Sequence, residues 1–318
     1  MRSKSSKKCN RQSAVFWRAP CTIEFVHDST QSTMTPSTPA WLDSMYNNRV
    51  LVPDYGTYFE RWVHASKSAR ANKACTLDVA YGSSSGEKLD VFPSDKGDAP
   101  VLVFIHGGYW RSLDKSDHSF VATAFTAQGA CVVIANYDLC PAVTIPEITL
   151  QMVRALGWVY RNIAQFGGDA KRITVVGHSA GGHLAAMLLA CDWQRFAADL
   201  PKSLVRKALS ISGIFDLRPL SRTPFLKDSL KLTSTDARRA SPALLPRPSS
   251  GEFHAVAGAD ESAEFLRQNP LIQKAWGKKI VPHVSALPGL NHFSVLDALV
   301  QPTHTLHSQA LALIKERP

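Results

Sequence analysis

From residue 74 onward, short apolar blocks alternate with longer amphipathic stretches. Apolar or β-branched runs at 75–81, 87–92, 101–105, 131–135, 173–176, 204–212, 252–257 and 281–286 predict strands. Helical spacing fills 116–128, 146–166, 180–191, 261–276, 293–300 and 303–315. The run Val101–Ile105 (VLVFI) is apolar at every position, a pattern that suits a strand covered on both faces. The chain therefore predicts an α/β fold, a mostly parallel central sheet with helices on both sides. Only residues 82–86 separate the first two strands, too few for a helical crossover, so these two should form an antiparallel hairpin at one edge.

Two segments depart from the alternation. Residues 214–250 contain Pro219, Pro224, Pro242, Pro246 and Pro248 and are too long for a simple connection, so they read as a small cap or lid inserted into the fold. Residues 1–44 are rich in serine, threonine and lysine, poor in acids and without a helical or strand period. They carry no apolar stretch of signal-peptide type and are expected to be a disordered extension, the folded unit running from 45 to 318. With 318 residues and 45% apolar composition, that unit can bury a large core.

Charge, cysteine and hydropathy narrow the function classes. The formal charge is +10, but six basic residues against two acidic ones fall within 1–40, leaving an ordinary balance elsewhere. No basic stripe with interleaved aromatics is present, so no nucleic-acid partner is expected. The longest apolar run, Leu184–Cys191, has eight residues, far below the roughly 20 of a transmembrane helix, and no membrane association is expected. Cys9, Cys21, Cys75, Cys131, Cys140 and Cys191 form no metal-binding or CxxC spacing. They read as reduced thiols of a cytoplasmic protein with neither metal nor cofactor, acting on a small-molecule substrate; a homodimer is left open.

Gly177-His178-Ser179-Ala180-Gly181 follows a strand and precedes an apolar helix. A G-x-S-x-G sequence in that setting is a sharp turn that lifts a serine hydroxyl above the sheet, with a helix N-terminus below it to favour developing negative charge. Ser179 is thus the expected nucleophile. His106-Gly107-Gly108-Tyr109-Trp110 ends the strand Val101–Ile105, where exposed amides can hold an oxyanion together with the amide of Ala180. Donors are expected from Gly108 and Tyr109, with Gly107 shaping the turn and His106 bracing it. The rings of Tyr109 and Trp110 are candidates for an apolar substrate wall.

A serine nucleophile needs a histidine base and an orienting carboxylate, which in α/β-hydrolases follow the serine in the order acid, then histidine. His292, in a turn after the last strand, has the position of the base; His254 and His283 lie inside strands, and His304 and His307 on the terminal helix. Asp260, at the carboxyl end of the strand 252–257, is the favoured acid. Glu261 competes from one step into the predicted helix, and Asp216 from just before the cap.

HGGYW, GHSAGGH, AGADESAEFLRQ and GLNHFSV, together with NNRVLVPDYGTYFERW near the start and SGIFDLRPL before the cap, resemble the kynurenine formamidase (arylformamidase) group of α/β-hydrolases over roughly residues 45–315. The resemblance implies a Ser179–Asp260–His292 triad and hydrolysis of N-formyl-L-kynurenine to kynurenine and formate. Its relatives include esterases, so a carboxylesterase for short acyl esters is the alternative. The chemistry suits an esterase-type triad: in a formanilide the nitrogen lone pair is drawn into the ring, which weakens the amide and improves the leaving group.

Overall fold

The computed structural model describes residues 38–316. Eight strands form one sheet: β1 (Thr76–Ala80), β2 (Lys88–Phe92), β3 (Ala99–Ile105), β4 (Cys131–Ala135), β5 (Gly168–His178), β6 (Lys207–Ile211), β7 (Glu252–Gly258) and β8 (His283–Leu287). Their spatial order is β1-β2-β4-β3-β5-β6-β7-β8. β2 runs antiparallel to both β1 and β4, and every later pairing is parallel. The expected edge hairpin and parallel sheet are both present.

Alternation along the strands builds two cores. Val101, Val103 and Ile105 face one hydrophobic cluster, while Leu102 and Phe104 face the other. The first cluster is covered by α5 (Ile145–Asn162), α6 (Ala180–Leu189) and α10 (Ala263–Trp276). The second is covered by α3 (Tyr55–Asn72), α4 (Phe120–Thr126), α11 (Ser294–Val300) and α12 (Thr305–Lys315). The start of α5 is fixed by a capping box in which Thr144 and Glu147 exchange side-chain and backbone hydrogen bonds. No helix among the described residues is long and apolar enough to cross a membrane.

The N-terminal boundary moves. Residues 1–37 of the expected extension lie outside the described residues, but α1 (Pro39–Tyr46) and α2 (Asn48–Leu51) are ordered helices. α1 starts at a Thr38 cap and buries Leu42 and Tyr46. The Tyr46 hydroxyl donates to Glu264 on α10 at 2.7 Å. These helices escaped the pattern because each is short and buries one or two side chains. The long helix α3 was missed for a related reason: it buries only Trp62, Ser66 and Ala69, a narrow stripe with a serine in its centre.

The segment 214–250 folds as short pieces over the α6 side of the sheet: α8 (Pro224–Leu230), α9 (Ser234–Arg239) and two 3-10 turns. α7 (Trp193–Phe196) lies beyond α6. The segment is tied down by buried bonds from the Phe215 and Asp216 amides to Gln268 and from the Leu217 amide to Ser241. His183 on α6 adds a 2.6 Å hydrogen bond to the Ala240 carbonyl.

Candidate active site

Ser179 sits at the junction of β5 and α6 with φ 55° and ψ −116°, the strained turn expected of its motif. Gly181 permits that turn, because a Cβ there would collide with the backbone of Ile105 on β3. The turn holds the serine hydroxyl at the carboxyl edge of the sheet, 3.0 Å from His292 Nε2. His292 comes from the loop between β8 and α11, and its Nδ1–H donates to Glu261 Oε2 at 2.6 Å. Glu261 Oε1 accepts from the Gly258 amide at 2.8 Å and from the Ser212 hydroxyl at 2.5 Å. All three members are buried: Ser179 is 2% exposed, His292 4% and Glu261 8%.

The carboxylate against His292 is therefore Glu261 and not Asp260. The Glu261 amide donates to the Gly258 carbonyl, closing a four-residue turn after β7. Asp260 stands on the outer corner of that turn and is exposed, while the chain re-enters the fold at Glu261. The helix also starts later than the apolar pattern predicts. Ser262 is its N-cap and α10 begins at Ala263, so Glu261 belongs to the turn rather than to the helix. A serine at the cap position was the one local sign of this. Asp216, the other competitor, is paired with Arg218 at 2.8 Å.

The loop after β3 is highly constrained. Gly108, Tyr109 and Trp110 take φ values of 100°, 52° and 55° in succession. The Gly108 carbonyl accepts from the Arg111 and Ser112 amides, and the Tyr137 hydroxyl donates to the carbonyls of His106 and Gly107. His106 Nδ1 lies 2.8 Å from the Gly107 carbonyl and Nε2 lies 3.0 Å from Asn136 Oδ1, with the ring stacked on Tyr137. His106 thus braces the loop. A Cβ on Gly107 would touch Ser179 Cβ at 3.0 Å, so this glycine packs beneath the serine. The amides of Gly108, Tyr109 and Ala180 find no acceptor among the described residues.

Trp110 does not reach the pocket, contrary to the expectation. It is 0% exposed and packs edge-on to His183 at 5.0 Å, because the positive φ at residues 109 and 110 turns its ring under the loop. Tyr109 stays on the pocket side, with its hydroxyl donating to the Tyr46 carbonyl.

The pocket above Ser179 is a cleft open to solvent. Phe59 and Trp62 of α3, Tyr109, Phe225 of α8 and Phe293 form its apolar walls. Most of these lie far from Ser179 in sequence, and the sequence pattern did not reveal them. His178 was missed too. Its Nε2–H donates to the His292 carbonyl at 2.8 Å and so helps hold the loop that carries His292; burial keeps its imidazole well below the ordinary histidine range. Ser212 was likewise unforeseen, as nothing local marks a serine at the end of β6 as a partner of the acid. Among the described residues no cluster of His, Cys, Asp or Glu is arranged to hold a metal ion.

Residues 89–248 match the family model described as BD-FAE. A kynurenine formamidase of Danio rerio is 32% identical over 259 residues, covering 78% of this chain and 85% of that protein. The chain belongs to the kynurenine formamidase family. The crystal structure of a proposed thioesterase from Silicibacter sp. TM1040 matches with a TM-score of 0.75 at 30% identity, covering 86% of this chain and 99% of that one. Esterase LipC of Mycobacterium tuberculosis is 32% identical over 142 residues, 43% of this chain and 35% of LipC. The protein is thus an α/β-hydrolase-fold hydrolase, with formamidase and esterase relatives.

Proposed function

We propose that the protein hydrolyses aryl formamides, N-formyl-L-kynurenine foremost, to the arylamine and formate. The observation that carries this reading is the hydrogen-bonded array Ser179–His292–Glu261 opening into an aromatic-walled pocket. His292 Nε2 takes the Ser179 proton as Oγ attacks the formyl carbon. The resulting oxyanion is held by amides of the 108–109 loop and of Ala180, which find no acceptor among the described residues. Collapse breaks the C–N bond, the imidazolium returns its proton to the departing arylamine nitrogen, and the formyl group remains on Ser179. Water then attacks this ester with His292 again as base, releasing formate and regenerating the serine. Glu261 holds the Nδ1–H tautomer throughout and stabilises the imidazolium.

The four described cysteines are free, and a cytoplasmic setting is part of this reading. A carboxylesterase for short acyl esters is the second reading, favoured by the LipC similarity. Purified protein should give a higher kcat/KM on N-formyl-L-kynurenine than on p-nitrophenyl acetate. A preference for the simple ester by orders of magnitude would sink the formamidase reading.

A further inference from the structure

The last carbonyls of a helix have no partner within it. At the end of α1 two of them are claimed by different segments. The Tyr46 carbonyl accepts from the Tyr109 hydroxyl, on the loop after β3, and the Met45 carbonyl accepts from the Ser262 hydroxyl, on the turn that carries Glu261. The same helix touches the cap, where Asp43 Oδ1 accepts from the Phe225 amide at 3.1 Å. Just beyond it, Arg49 donates to the Ser112 hydroxyl at 3.3 Å, which donates in turn to the Gly108 carbonyl at 3.0 Å. Tyr109, Phe225 and Ser262 stand 63, 182 and 217 residues from their partners, so no local turn sets their spacing.

What fixes α1 is the side chain of Tyr46, which is 0% exposed. Its hydroxyl donates to Glu264 Oε2 at 2.7 Å, and Glu264 also accepts Arg267 Nε and Nη2 at 2.9 Å and 2.8 Å. Burial, and then the Glu264 carboxylate, push the phenol well above its usual range, so the hydroxyl keeps its proton and remains a donor. The ring stands edge-on to Phe265 at 5.8 Å, and the Phe265 ring lies 4.7 Å from that of His292.

We propose that Tyr46 is a positioning residue for hydrolysis at Ser179: by pinning the end of α1 it fixes the loop after β3 against the turn that carries Glu261. This rests on the Ser179–His292–Glu261 reading of the reaction and not on the choice of formamide over ester. Donors to an oxyanion act only when they lie about 2.7–3.1 Å from it. Gly108, Tyr109 and Trp110 hold positive φ values of 100°, 52° and 55°, and such backbone persists only where its surroundings over-determine it. The bond from Tyr109 to the Tyr46 carbonyl is one of those constraints, placed on a residue whose amide is a proposed donor. Because the Ser262 bond ends on the neighbouring carbonyl, a shift of α1 moves the amides and the carboxylate together.

Tyr46→Phe keeps the ring on Phe265 and removes only the hydroxyl; Tyr109→Phe cuts the tie from the other end. Rates are measured well below each Tm, on p-nitrophenyl acetate and N-formyl-L-kynurenine, per titrated serine. Each variant should lower kcat on the ester about 3- to 10-fold, the size expected for one hydrogen bond, with KM held within about twofold. Affinity for phenylboronic acid, which takes the serine oxygen and becomes a tetrahedral anion, should weaken in parallel with kcat; a purely structural role would leave it unchanged per titrated serine. The double variant should be no slower than the slower single, because the two hydroxyls act along one path. Unchanged kcat in both folded variants would overturn the role of Tyr46, and so would a loss confined to KM or losses that multiply. If Tyr46→Phe does not fold, Tyr109→Phe, which leaves α1 anchored, decides between the same outcomes. Ester results as expected from a protein that does not turn over the formamide would keep the positioning role and reject the formamidase reading. Unaffected variants of an active formamidase would do the reverse.

Discussion

Glu261→Gln changes one atom of a buried carboxylate and isolates its role. Three donors converge on this group: His292 Nδ1–H at 2.6 Å on Oε2, with the Gly258 amide at 2.8 Å and the Ser212 hydroxyl at 2.5 Å on Oε1. An amide side chain can satisfy only one side. If its oxygen stays with Gly258 and Ser212, its NH2 faces Nδ1–H, and His292 must take the tautomer that places a proton towards Ser179. If it flips, the Gly258 amide faces a donor instead. A misplaced buried donor costs about 1–3 kcal/mol, and the lost bond between carboxylate and imidazolium about 1.5–3 kcal/mol more. A combined loss of about 2.5–6 kcal/mol corresponds to about 10²–10⁴ in kcat. Asp260→Asn, on the exposed corner of the same turn, should stay within about twofold of wild type, as surface changes usually cost little. Both variants are assayed for kcat on N-formyl-L-kynurenine and on p-nitrophenyl acetate, with active serine titrated and folding checked by circular dichroism. A Glu261→Gln enzyme that keeps more than a tenth of kcat, or an Asp260→Asn enzyme that loses more than tenfold, would refute the assignment.

Two further outcomes follow from the same geometry. Gly108→Ala places a Cβ against the Ser112 carbonyl at a φ of 100°, so the loop itself must open; kcat should fall by about 10²–10³, the loss typical of one oxyanion donor, together with Tm. Wild-type activity in folded Gly108→Ala protein, measured per titrated serine, would remove the loop from the mechanism. Burial lowers His118 to about 3 and His183 to about 4, whereas in the unfolded chain both protonate near 6.5. The unfolded state then binds more protons between those values, so stability is full above about pH 6.5 and falls as pH drops towards 4, by up to about 1.4 kcal/mol per pH unit for each histidine. Urea midpoints measured from pH 7.5 to 4.5 check the sign, and a midpoint that rises on acidification would contradict it.

The local pattern of the chain was sufficient for the sheet, for the helices that alternate with its strands, and for singling out Ser179 and His292, which the fold brings within 3.0 Å of each other. A strand buried on both faces must be apolar at every position, and a G-x-S-x-G turn between strand and helix has few uses, so Val101–Ile105 and Ser179 are legible from neighbours alone. The acid was not legible in the same way. Asp260 and Glu261 are adjacent carboxylates, and the choice depends on which one a four-residue turn directs inward. That direction is set by the Glu261–Gly258 bond, the Ser262 cap and the packing of α10. The pocket is more remote still from any local signal. Its walls come from Asn48 and Arg49 on α2, Phe59 and Trp62 on α3, the loop after β3 and Phe225 on α8. On paper Arg49 is one basic residue in a polar stretch, and Trp110 an aromatic ring beside a glycine pair. Only the folded chain puts the first over Ser179 and the second beneath the loop, because burial and charge pairing depend on which segments meet, and sequence spacing does not encode that.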